Sequence, residues 1–223
     1  MRISDLYLPS LRSQPLGDPP DTISGRSPSI QVYPTNNLKR LLQTLTSIPK
    51  PHLLDLGALT GPNIEWFIHK GFKVYVDDRV TTLKPSPLPP APQKGEKKLP
   101  PPPPLDPLDY PPTSFDAVLC WDFLDYLVMT QARELIAGIA GILKPRGLLL
   151  AFFNFNRSSP VPPTRYRIIR EDQLEYAPLP QNSIPRPRRI YENREIQELF
   201  SKFDTLNSCY QKNQMREVLV QKR

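Results

Sequence analysis

Apolar positions along this chain follow two rhythms, one at helical spacing and one in short continuous runs. Leu38, Leu41, Leu42, Leu45 and Ile48 recur at i, i+3, i+4, i+7 and i+10 and predict an amphipathic helix that Pro49 and Pro51 stop. The run His52-Leu53-Leu54-Asp55-Leu56, bounded by Gly57, is strand-sized. Ile64, Phe67 and Ile68 then mark a helix face, with Pro62 in a first turn that tolerates proline and Gly71 closing the segment. Val74-Tyr75-Val76 reads as a second strand running into Asp77-Asp78. Strand, helix and strand in so short a span imply a parallel pair with a helical crossover, hence an α/β sheet.

The alternation resumes further on. Ala117 to Trp121 is a strand, and Ala132, Leu135, Ile136, Ile139, Ala140 and Leu143 form a helical stripe. Lys144-Pro145-Arg146-Gly147 is expected to end that helix. Leu148 to Phe153 is apolar on both faces, as a central parallel strand should be. Residues 156–190 are expected to be a long connection. Ile196, Leu199, Phe200 and Phe203 mark a last helix face, and Leu206 to Tyr210 and Glu217 to Gln221 predict an antiparallel hairpin around Lys212-Asn213. Residues 1–33 carry turn formers and little periodicity and are expected to be a loosely ordered N-terminal arm. Residues 34–223 then form one α/β domain, doubly wound on a mostly parallel sheet, with the C-terminal hairpin antiparallel.

Composition changes this picture at one place. The chain has 30 Pro against 9 Gly in 223 residues, and 13 of the prolines fall between Pro85 and Pro112. Proline removes a backbone donor and fixes φ, so this stretch is neither helix nor interior strand. It reads as an insertion at about 84–112, with polyproline II over Pro100 to Pro104. Lys84-x-x-Pro87-x-x-Pro90 also matches the pattern an SH3-type groove accepts, so docking of a protein partner is the alternative to a plain surface insertion.

Two cysteines, Cys120 and Cys209, supply neither a disulfide framework nor a zinc site and are expected as buried reduced thiols. No metal site is expected. No stretch approaches a bilayer span, and Met1 to Leu16 lacks a continuous apolar core of the secretory kind, so a cytoplasmic protein without a membrane partner is expected. The net charge is +7. Arginines gather late, at Arg157, Arg165, Arg167, Arg170, Arg186, Arg188, Arg189 and Arg194, facing Glu171, Asp172, Glu175 and Glu192. A solvated surface accounts for them, with a nucleic-acid partner as the less favoured alternative.

The chemistry concentrates in Asp55-Leu56-Gly57-Ala58-Leu59-Thr60-Gly61, between a strand and a helix. A glycine-bearing turn there lets a ligand approach the main chain, and the next helix offers free N–H groups. Asp78, at the end of the second strand, can accept hydrogen bonds from both hydroxyls of a ribose. Leu59 and Pro62 break the glycine spacing of a dinucleotide loop, whereas Gly57 and Gly61 fit G-x-G-x-G spacing around Leu59.

This run resembles the D-x-G-x-G-x-G motif of the class I (Rossmann-like) S-adenosylmethionine-dependent methyltransferase superfamily. Pro111-Pro112-Thr113-Ser114-Phe115-Asp116-Ala117-Val118-Leu119 is similar to that family's proline-bearing loop and fourth strand. Leu143-Lys144-Pro145-Arg146-Gly147-Leu148 is similar to its L-K-P-G-G-x turn, and Arg216 to Val220 resembles part of its closing hairpin. The matches keep the family's order over residues 35–223. The resemblance implies S-adenosylmethionine as cofactor along the carboxyl edge of the sheet and a small-molecule or unidentified methyl acceptor, with a non-catalytic binding or scaffold protein of this fold as the alternative. Asp55, Gly57, Ala58, Gly61, Asp78 and Trp121 would bind the cofactor. Trp121, Asp122 and Phe123 would face the sulfonium and the acceptor, and Asp122 and Asp125 are the candidates for a catalytic acid or base, which the in-line reaction does not oblige. The family's third strand has no counterpart that the proline tract allows, and Leu59 replaces its middle glycine. An affinity loss is expected if the Leu59 side chain meets the cofactor.

Overall fold

A computed structural model describes residues 31–83, 103–156, 164–179 and 188–223. The docking pattern at Lys84 to Pro90, Pro100 to Pro102, Arg157, Arg186 and the arm over residues 1–30 lie outside the described residues.

Two sheets organise the described residues. The larger has six strands in the order β3-β2-β4-β5-β9-β8. Its parallel part comprises β2 (His52–Asp55), β3 (Lys73–Val76), β4 (Phe115–Trp121) and β5 (Leu143–Asn154). The closing hairpin, β8 (Phe203–Tyr210) and β9 (Met215–Lys222), joins antiparallel to β5. This is the sheet that the resemblance implies; among the described residues, which leave out 84–102, no strand lies between β3 and β4. Helices cover both faces. α1 (Asn36–Leu45) and α2 (Gly61–His69) pack on one side with Phe67, Phe152 and Leu219, and α3 (Met129–Ile142) and α4 (Asn193–Leu199) pack on the other with Val118, Phe153 and Val220.

The described part of the proline tract, from Pro103 on, is held by the apolar residues between its prolines. Leu105, Leu108 and Tyr110 pack on the core, and Tyr110 meets Phe115 edge-on at 5.0 Å. Side chains tie down its backbone: Gln131 donates to the Pro103 carbonyl at 2.6 Å and Arg79 to the Pro107 carbonyl at 2.9 Å.

The smaller sheet corrects the sequence reading. Residues 156–190, expected as one long connection, contain the hairpin of β6 (Thr164–Arg170) and β7 (Gln173–Pro178). β1 (Gln31–Pro34), which begins inside the expected arm, adds to β7 antiparallel. Thr164, Tyr166 and Ile168 point inward while Arg165 and Arg167 point out, so a period of two fixes this strand. Lys144-Pro145-Arg146-Gly147 also differs from expectation. It opens β5 instead of forming a separate turn, and Arg146 takes a φ of +62° there. Cys120 is buried as expected, but Cys209 is only half-buried on the outer strand β8.

Candidate functional site

The carboxyl ends of β2, β3 and β4 bring the predicted residues to one edge of the sheet. Parallel pairing sets Asp55 level with Val76 and Leu119, so Asp55, Asp77 and Trp121 emerge close together. Asp55 Oδ1 accepts from the Gly57 backbone N–H at 2.9 Å and from Trp121 Nε1 at 2.7 Å. Burial pushes the Asp55 carboxyl up to about 6, against the opposing pull of those two donors.

Trp121 lies directly on Gly57. A Cβ at position 57 would stand 2.3 Å from Trp121 Cδ1 and 2.7 Å from its Nε1. Glycine is therefore demanded here by the indole, and any larger residue forces the ring away. The indole is 2% exposed, stacks on Tyr166 of β6 at 5.2 Å with planes 3° apart, and meets Phe152 edge-on at 5.5 Å. Its backbone has a φ of +45°, a left-handed conformation that bulky residues rarely adopt. Gly61, by contrast, has open space where a Cβ would stand, at the first position of α2. The Thr60 hydroxyl bonds the Ala58 carbonyl and does not cap this helix.

Leu59 is not packed into the core; it is 55% exposed. Its backbone N–H instead donates to Asp78 Oδ2 at 3.0 Å, which draws Asp78 onto the turn. Asp78 Oδ2 also accepts from the Thr81 hydroxyl at 2.7 Å, and Oδ1 accepts from the Val80 and Thr81 N–H groups at 3.1 and 2.8 Å. A carboxylate offers about four acceptor positions, so these bonds use the full capacity of Asp78.

Asp122 and Asp125 follow β4 in and just before a short 3₁₀ turn, Phe123–Tyr126, and are 1% and 0% exposed. Both face Arg188, which reaches in from the strap ahead of α4. Arg188 pairs with Asp122, donates to the Tyr126 hydroxyl at 2.8 Å and lies 3.8 Å from Asp125. Asp125 also accepts from the Asn154 N–H at 2.8 Å. Burial raises both carboxyls above the usual range, and the guanidinium opposes that rise.

Sequence reading missed Arg188 and Tyr166 as members of this site. The in-out alternation of β6 would have found Tyr166. Nothing local marks Arg188 among its neighbouring arginines. Among the described residues no cluster of His, Cys, Asp and Glu is placed to hold a metal, and no helix is long and apolar enough to cross a membrane.

No protein-family model matches the chain, and no curated protein matches it. Solved structures similar to it include three methyltransferases. One is the 1,6-didemethyltoxoflavin-N1-methyltransferase of Burkholderia thailandensis with bound 1,6-didemethyltoxoflavin and S-adenosylhomocysteine, at 15% identity over 84% of this chain and 78% of that one, with a TM-score of 0.47. A SAM-dependent methyltransferase of Methanosarcina mazei is 14% identical over 78% of this chain and 93% of that one, at 0.47. Another, from Aquifex aeolicus, is 12% identical over 83% and 89%, at 0.48. The site's chemistry follows from this chain's own residues.

Proposed function

We propose that the chain is an S-adenosylmethionine-dependent methyltransferase acting on a small-molecule acceptor. One observation carries the reading: a glycine turn at the carboxyl edge of a parallel sheet with a carboxylate, Asp78, drawn onto it. The donor set suits the cofactor. A ribose would take over acceptor positions on Asp78 now used by Leu59 and Thr81, and the turn at Ala58 and the open start of α2 at Gly61 would receive the rest of the ligand. The cofactor would supply an electrophilic methyl group. The chain's own contribution is to hold acceptor and cofactor in line, which needs no dedicated base. In this proposal Asp122 and Asp125, both against Arg188, hold the strap in place.

Titration calorimetry of the full chain with S-adenosylmethionine and S-adenosylhomocysteine tests the reading. Saturable heat is expected, weakened tenfold or more by Asp78→Ala. Silence at millimolar ligand, in the wild type and in Trp121→Ala alike, defeats it. A second reading, a binding or scaffold protein that keeps this fold without catalysis, is favoured by the indole on Gly57 and the fully used Asp78. It predicts no methyl transfer to any acceptor even where a ligand binds.

A further inference from the structure

Gly57 is the point where the turn would bring bare main chain to a ligand, and Trp121 occupies that point. The indole stands so close that not even a methyl group fits between ring and backbone. A ligand against Gly57 and the indole in its present place therefore exclude each other. The indole is held there by three things: the hydrogen bond to Asp55, the stack on Tyr166 and the edge contact with Phe152. Against these stands the left-handed backbone at Trp121, a conformation that costs energy and persists only where its surroundings impose it.

From this geometry we infer that Trp121 gates the adenosyl site: ligand entry requires the indole to leave Gly57, breaking its bond to Asp55 and its stack on Tyr166. This rests on the function proposed above. Tyr166 belongs to β6, so displacement of the ring removes one of the contacts that join the small sheet to the site. The apparent affinity of the chain is then lowered by the scarcity of the open state, and the Trp121 side chain sets that scarcity.

The chain has two tryptophans, so Trp66→Phe leaves Trp121 as the sole indole emitter. With S-adenosylhomocysteine as probe, saturation is expected to shift Trp121 emission to the red and to raise its quenching by acrylamide. In calorimetry, Trp121→Ala is expected to bind at least tenfold tighter than wild type. Trp121→Phe, which keeps a ring but cannot donate to Asp55, is expected to bind a few-fold tighter and carries the test if the alanine variant does not fold. Unchanged emission at saturation overturns the gate, as does a folded variant that binds no tighter. If neither wild type nor any Trp121 variant gives heat, the adenosyl reading itself has failed and the gate falls with it.

Discussion

Asp55 shows how one residue serves both the fold and the site. Its Oδ1 gathers the first N–H of the glycine turn and the indole of Trp121, and it does so from a buried position. Burial disfavours the ionised form, so its folded carboxyl titrates at about 6, above the ordinary value of 3.8. The sign follows from linkage. Stability is fullest below pH 4, where the group is protonated in both states, and falls as pH rises towards 6 by up to about 3 kcal/mol. Asp55→Asn keeps an acceptor for both donors and cannot ionise. Chemical denaturation from pH 4 to 7 should show a decline in wild type that the variant lacks. An equal decline in both would place the titration elsewhere. The motif's residue types were legible in sequence, but their present partners were not. Asp55 and Gly57 were read toward a ligand, and the structure sets them against Trp121.

At the level of elements, one side chain bridges α2 to the backbone of β6. Asn63 donates from Nδ2 to the Tyr166 carbonyl and accepts at Oδ1 from the Ile168 N–H, both at 2.8 Å, and is buried. The amide thus continues the backbone pairing that β6 lacks on that side. Asn63→Ala leaves a buried carbonyl and a buried N–H without partners, which costs about 2–4 kcal/mol. Hydrogen exchange should quicken at Ile168, with β2 and β4 little affected; unchanged exchange at Ile168 would remove this role. The larger sheet was legible because each buried strand is a short apolar run and each covering helix shows a stripe. β6 was not read because its outward arginines outweighed its three inward residues. A half-buried strand carries only half the signal of a buried one.

Across the whole molecule, the late arginines turn out to be partly internal. Arg188, 8% exposed, ties the strap before α4 to the end of β4, and Arg189 pairs with Glu195 at the start of that helix. Arg188→Ala would strand Asp122 as a buried unpaired charge, at a cost of about 3–5 kcal/mol. Thermal unfolding of that variant should fall well below wild type and recover in part at acid pH, where Asp122 protonates. A loss absent at all pH values would show that the pair is not holding the strap. The same pairing buries one of the cations on which a nucleic-acid partner was considered, Arg188, and sets Arg189 against a carboxylate.

By itself the sequence determined the α/β class, the order of the strands and helices that build the larger sheet, and the antiparallel hairpin at its end. Each of these follows from local periodicity or from residues whose backbone limits are intrinsic. Only the tertiary structure decided that Trp121 rests on Gly57, that Asp78 is used in full by its neighbours and that Arg188 closes over Asp122. Those contacts join residues far apart in the chain. They depend on where loop and strap side chains find space once the sheet has assembled, and no spacing along the chain encodes that.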